Sequence, residues 1–151
     1  MARQKATVRV MKREDMPAMV EIDGIASGSP RPEYMQNKLQ VALDKQHGLV
    51  ISMVAEMDEK IVGFLMGEMY RGEFGIPENT ATVDTVGIHP DFQNAGIGRQ
   101  LMEEFVSHTR KAGAERVRTM VDWSQQWDLM GYFRASGFAP AGSSIVLERK
   151  I

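Results

Sequence analysis

The stretch "TATVDTVGIHPDFQNAGIGRQLM", Thr80 to Met102, constrains the fold more than any other part of the chain. It opens as a β-strand whose apolar run, Val86 to Ile88, stops at His89-Pro90. A loop carrying Gly96 and Gly98 follows. Apolar residues then resume at Ile97, Leu101 and Phe105, about every four positions, as on one face of a helix. The helix is expected over Arg99 to Ala112, with Gly113 placed to end it. Another strand, "RVRTMVDW", comes next. Two strands joined through a helix make a parallel pair with a helical crossover.

Upstream, "TVRVM" (Thr7–Met11) reads as a strand. Asp15 is a candidate N-cap and Pro17 lies in the first turn of a helix with Met16, Met19, Val20 and Ile22 as its apolar stripe. "GIASGSPRP" reads as a loop. "PEYMQNKLQVALDKQ" continues as a helix, with Tyr34, Met35, Leu39 and Leu43 sharing a face. "GLVISMVAEM" and "KIVGFLMGEMY" form a hairpin around Asp58-Glu59, and "GEFGIPENTA" is a connecting loop. At the other end, "QQWDLMGYFRAS" is a last helix and "SSIVLER" a closing strand. The expectation is an α/β (α+β) fold: a mixed, mostly antiparallel sheet of six to seven strands with about four helices.

A length of 151 residues suits one domain spanning 1–151. A net charge of −2, with acidic and basic residues interspersed, gives no footprint for nucleic acid. The absence of cysteine removes disulfides, thiolate metal sites and a cysteine nucleophile. No apolar run approaches the ~18 residues of a membrane span, and "MARQKATVRV" lacks a signal-peptide core. A cytoplasmic location without membrane or nucleic-acid partners is expected. His47, His89 and His108 show no metal-ligand spacing, so no metal is expected, and His89 is read as shaping the turn before Pro90. The 12 methionines suit gap-filling in a core. Core burial is also the reading for Trp123 and Trp127.

Three phosphate-binding patterns compete for the glycine loop. It lacks the Lys-Ser/Thr ending of a P-loop. Read as G-x-G-x-x-G, it has Leu101 where the third glycine belongs, and its connection is too long for a tight dinucleotide-binding turn. The pattern Q/R-x-x-G-x-G/A fits Gln93-Asn94-Ala95-Gly96-Ile97-Gly98. Backbone N–H groups at a helix start are unsatisfied and the helix dipole favours an anion there. Glycine lets the backbone approach a phosphate closely. The same glycines also suit an ordinary loop in which they only ease the turn.

Four segments, in order, resemble the Gcn5-related N-acetyltransferases. "VRVMKREDMPAMVEI" is similar to the family's first strand and helix, and "VISMVAEMDEKIVGFLMG" to its second and third strands. "ATVDTVGIHPDFQNAGIGRQLM" is similar to its signature motif, and "MGYFRASGFAP" to a later aromatic-Gly-Phe motif. The resemblance implies acetyl-CoA as co-substrate. Its pyrophosphate would lie on Gln93, Asn94, Ala95, Gly96, Ile97 and Gly98, with Arg99 adding charge. Its pantetheine arm would pair with Val86, Gly87 and Ile88, because the fifth strand splays from the fourth and leaves an open edge. One N–H there would stabilise the oxyanion. Leu129, Phe133 and Arg134 on the last helix would flank the other side.

A lysine-like amine of pKa ~10.4 must lose a proton before it can attack. Asp84 stands where relatives often carry a glutamate. With a strand period of two, it shares a face with Val86 and Ile88 unless a bulge intervenes. Asp122 is a second candidate, set against an Asx turn into Trp123-Ser124. The family's tyrosine acid falls at Phe133, where a core role fits better. Tyr132 is adjacent, but one residue turns ~100° around a helix.

The expected function is transfer of acetyl from acetyl-CoA to a primary amine, on a small molecule or a peptide, by direct attack in a ternary complex. The alternative is a non-catalytic module that senses CoA or acyl-CoA or scaffolds a partner, and a longer acyl donor is a further option. Glu33, Glu73 and Glu78 are candidates to attract a cationic amine. Homodimers are common in such folds, so a homodimer is among the expected states.

Overall fold

Asp58 and Glu59 both take positive φ, 48° and 62°, as the two central residues of a type I′ turn must. They close a hairpin between strand β2 (Val50–Met57) and strand β3 (Lys60–Tyr70). The computed structural model describes residues 5–43, 50–70, 79–122, 124, 127–142 and 145–151. The chain forms two compact units, Met1–Thr119 and Met120–Ile151.

In the first unit, β1 (Thr7–Val10), β2, β3, β4 (Thr80–Ile88) and β5 (Arg116–Thr119) form one sheet in that order. Every neighbouring pair is antiparallel except β4–β5, which is parallel. Helix α3 (Ile97–Lys111) is their crossover. It begins two residues before the expected Arg99, directly after Gly96. Helix α1 (Met16–Ser27) runs into the segment read as a loop and stops only at Gly28, whose φ is 73°. Helix α2 covers Pro32–Leu43.

Two faces of the sheet are covered. Met11, Met19, Ile22, Met35, Leu39, Val54, Phe64 and Met66 form a buried cluster between α1, α2 and one face. On the other face α3 buries Ile97, Leu101, Met102 and Phe105. Tyr34 departs from the expected apolar stripe of α2. Met35 and Leu39 are buried, but Tyr34 is 38% exposed. The segment 71–78, with Glu73 and Glu78, and also His47 and Trp123, lie outside the described residues.

Asp15 occupies the N-cap position of α1 yet makes no cap bond. Its carboxylate turns back to accept from both terminal nitrogens of Arg9, at 2.8 Å each, and from Lys12 N–H. Burial pushes its pKa up, but the hydrogen bonds from Arg9 and Lys12 outweigh this and hold it below the ordinary carboxylate value. A depressed folded pKa stabilises the protein above the unfolded value of ~3.9 and loses that contribution as pH falls through the lower folded value. Asp15→Asn is expected to cost about 2 kcal/mol at neutral pH. Melting curves across the acid range should show the difference from wild type shrinking as pH falls.

In the second unit, helix α4 (Trp127–Ala135) ends on a Schellman motif. Gly137, at φ 91°, donates its N–H to Arg134 O, and Phe138 N–H donates to Phe133 O. The accompanying apolar contact is Phe138 edge-on to Phe133, at 5.1 Å between ring centres. The Gly-Phe pair of the late motif is therefore a helix stop. Of the expected closing strand, Ser143 and Ser144 lie outside the described residues. Residues 145–150 form no strand: no strand among the described residues pairs with them, and Ile145, Val146 and Leu147 stay exposed. The sheet thus has five strands among the described residues rather than six or seven.

Candidate active site

The β4–β5 ladder is short. It pairs Thr80–Val83 with Arg116–Thr119 and stops. Beyond Val83 the outer edge of β4 has no partner strand among the described residues, as the expected splay requires. His89 N–H donates to Val62 O at 2.8 Å, facing β3. By antiparallel alternation Gly87 also turns its polar groups to β3, while Val86 and Ile88 turn theirs to the open edge. Gln93 Nε2 reaches that edge and donates to Ile88 O at 3.4 Å. Gly87 has a packing role: a Cβ there would stand 2.6 Å from Phe64 Cε1 and 3.2 Å from Ile22 Cγ2.

Asp84 is the extra residue of a β-bulge. Met66 pairs with Thr85 and Gly67 with Val83, which leaves Asp84 without an opposite number. The bulge breaks the period of two. Asp84 carries its carboxylate to Lys38 of α2, on the face covered by α1 and α2. Val86 registers with Leu65, and Ile88 meets the position of Gly63 together with Ile97 of α3. The expectation that Asp84, Val86 and Ile88 share one face is corrected: Asp84 lies on the face opposite to the other two. The bulge sits at the first position past the last β4–β5 pair.

A row of charges extends from Asp84 along α2. Lys38 Nζ is 3.3 Å from Asp84 Oδ2, with the two side chains 33% and 23% exposed. The same ammonium lies 5.9 Å from the Tyr34 ring centre, and the Arg31 guanidinium lies 4.3 Å from it on the same ring. Arg31 makes two 2.8 Å bonds to Asp23, which is buried in α1. Its hydrogen bonds to Asp23 raise the Arg31 pKa further. Sequence reasoning passed over Asp23, Arg31 and Lys38. The signal was present: Arg31, Tyr34 and Lys38 follow each other at three and four residues, so they line one side of α2.

After β4 the chain makes a short turn at Pro90–Phe92, where His89 Nδ1 accepts from Asp91 N–H. His89 shapes this turn, as expected. Asn94 (φ 60°) and Gly96 (φ 81°, ψ 9°) are left-handed, and they swing the chain into α3. Gly96 is the N-cap and brings no side-chain cap, so the helix start is built from backbone. Arg99 is highly exposed and bonds Glu103 one turn on, at 3.0 Å. An open strand edge thus leads through a left-handed loop straight to a helix N-terminus.

A family model described as "Acetyltransferase (GNAT) family" matches residues 15–138. The chain belongs to the GNAT family. An uncharacterized N-acetyltransferase, ycf52, of Porphyra purpurea is 29% identical over 103 residues, which are 67% of this chain and 53% of that protein. The chain thus spans about half the length of that relative. A phosphinothricin N-acetyltransferase of Alcaligenes faecalis is 28% identical over 149 residues, 94% of this chain and 74% of that one. Among solved structures, the aminoglycoside N-acetyltransferase AAC(6')-Iy in complex with CoA matches with a TM-score of 0.81 at 14% identity, covering 100% of this chain and 99% of that one. The ribosomal-protein-S18-alanine N-acetyltransferase from Escherichia coli matches with a TM-score of 0.72 at 18% identity, covering 91% and 79%. These two likenesses show that the fold is the GNAT fold.

The remaining residues singled out for a GNAT site lie in the second unit. Phe133 is buried and packs on Tyr132 and Phe138, the core role expected of it. Burial pushes the Tyr132 phenol up to about 12, so it keeps its proton at neutral pH. Leu129 is half-buried and Arg134 exposed. Asp122 accepts from both N–H and Oγ of Ser124, an Asx turn whose hydrogen bonds lower its pKa. It forms this turn. Among the described residues no group of three or more His, Asp or Glu could hold a metal, and no helix is long and apolar enough to cross a membrane.

Proposed function

We propose that this chain is an acetyl-CoA-dependent N-acetyltransferase that moves acetyl to a primary amine by direct attack in a ternary complex. The observation that carries the reading is the open β4 edge running without interruption into the backbone-built start of α3. The edge groups of Val86 and Ile88 suit an amide-rich arm laid down as an added strand. The N–H groups of the loop and first turn, from Asn94 and Ala95 through Gly96, Ile97, Gly98 and Arg99, suit a pyrophosphate, favoured further by the helix dipole, while Gln93, whose own N–H goes to Pro90 O, borders it. Gly87 serves indirectly, by letting β4 lie close on Phe64 and α1.

The acceptor amine delivers its proton to Asp84, directly or through one water, and its nitrogen attacks the thioester carbonyl carbon. A C–N bond forms, the nitrogen gives its second proton to solvent as the intermediate collapses, the C–S bond breaks, and an edge N–H of β4 stabilises the oxyanion in between. The thiolate, conjugate to a thiol of pKa ~8.5, leaves and takes a proton from solvent. The family match crosses from the first unit into the second, which supports 1–151 as one N-acetyltransferase domain. The named relatives act on phosphinothricin, aminoglycosides or a ribosomal-protein alanine, which supports an amine acceptor.

With no cysteine in the sequence, the acetyl group has no thiol to rest on. Initial rates at varied acetyl-CoA and amine should therefore give an intersecting pattern. Parallel lines, with acetyl recovered on the protein before amine is added, would contradict direct attack.

A further inference from the structure

The ion pair at the bulge has spare capacity on both sides. Lys38 carries three N–H donors, and among the described residues its polar contacts are Asp84 at 3.3 Å and the Tyr34 ring. Asp84 has two oxygens, and Lys38 engages Oδ2. Both side chains are partly exposed, so a small molecule can reach them. Arg31, the other cation on this row, is already held in a two-pronged bond by the buried Asp23. Lys38 is the cation left available, and it stands directly beside the carboxylate that must take the acceptor's proton.

An acceptor that brings only positive charge to Asp84 meets the Lys38 ammonium at hydrogen-bond range, and like charges at that distance repel strongly. An acceptor whose amine is flanked by an anion meets the opposite situation. In an α-amino acid the amine and the carboxylate hang from one carbon, so its two charges lie side by side, as Lys38 Nζ and Asp84 Oδ2 do. We propose that the acceptor is an α-amino acid, with Lys38 binding its carboxylate while Asp84 takes the proton from its amine. The assignment rests on the reading of Asp84 as the base. Lys38 is then a specificity-determining residue: it pairs with the anion and excludes cationic acceptors.

The test uses the full chain, acetyl-CoA and matched acceptors: phenylalanine with phenylethylamine, lysine with cadaverine, and additionally kanamycin and an alanyl peptide. Free thiol and N-acetyl product are both read. Wild type should prefer each amino acid over its decarboxylated partner and over kanamycin and the peptide. Lys38→Met should raise KM for the amino acid about 10- to 100-fold, as expected for one lost charged hydrogen bond. The same change should improve use of the decarboxylated amine, and Lys38→Arg should restore part of the amino-acid preference. A wild-type preference for the decarboxylated amines, kanamycin or the peptide would overturn the assignment, while Asp84-dependent turnover would leave the proposed function standing. An equal shift for both members of a pair in Lys38→Met would also overturn it. If no acceptor releases thiol from wild type, the proposed function falls and this assignment with it.

Discussion

Asp84→Asn should lower kcat by roughly 100- to 10,000-fold, the range for removing a positioned general base. The substitution keeps the shape of the side chain and removes its negative charge, and with it the capacity to take a proton. It also leaves the Lys38 ammonium without its partner, but both groups are partly exposed, so the stability cost should stay within about 1 kcal/mol. Acetyl-CoA affinity should be unchanged, because the donor is read as held by backbone groups of β4 and the α3 start, which the substitution leaves in place. The loss should also depend on pH. An amine of pKa ~10.4 is deprotonated by solvent as pH rises, so activity of the variant should climb toward the wild-type value in alkaline buffer. A variant equally impaired at every pH would point to a structural role for Asp84.

Gly96→Asp should weaken CoA binding by about 100-fold or more, because a carboxylate would face the pyrophosphate at short range. The design of this test follows from the local backbone. Gly96 has φ 81°, a conformation that aspartate and asparagine tolerate better than other residues with a Cβ. A Cβ there meets nothing within 4 Å, so neither variant should disturb the packing of α3. Gly96→Asn adds nearly the same bulk without the charge, and it should lose much less affinity than Gly96→Asp. Calorimetry with CoA on both variants separates charge from bulk. Equal affinity in wild type and Gly96→Asp would remove the phosphate from this loop.

How far the sequence could be read depends on how local each feature is. The turn at Asp58-Glu59, the strand from Thr80 to Ile88 and the amphipathic α3 follow from patterns spanning a few residues, and the structure has them. The glycine loop from Gln93 to Gly98 was legible for the same reason, whereas the left-handed turn at Asn94 and Gly96 comes from the structure. Features that depend on a partner strand were harder. The bulge at Asp84 exists only relative to the register of Met66 and Gly67, so a period counted along β4 alone puts the carboxylate on the wrong face. The closing strand near Ile145 has the right residue types but no pairing strand among the described residues. Lys38 is 46 residues from Asp84 in the chain. Its role emerges only when α2 is packed on the sheet, although the spacing of Arg31, Tyr34 and Lys38 already marked one polar side of that helix.

Amine-dependent release of thiol from acetyl-CoA tests most directly whether this open edge and helix start serve transfer. Purified chain, acetyl-CoA and a panel of primary amines should yield free thiol and N-acetyl product in equal amounts for at least one acceptor. Acetyl-CoA that binds, yet releases no thiol above background with any amine, would contradict transfer and leave a module that binds CoA without using it.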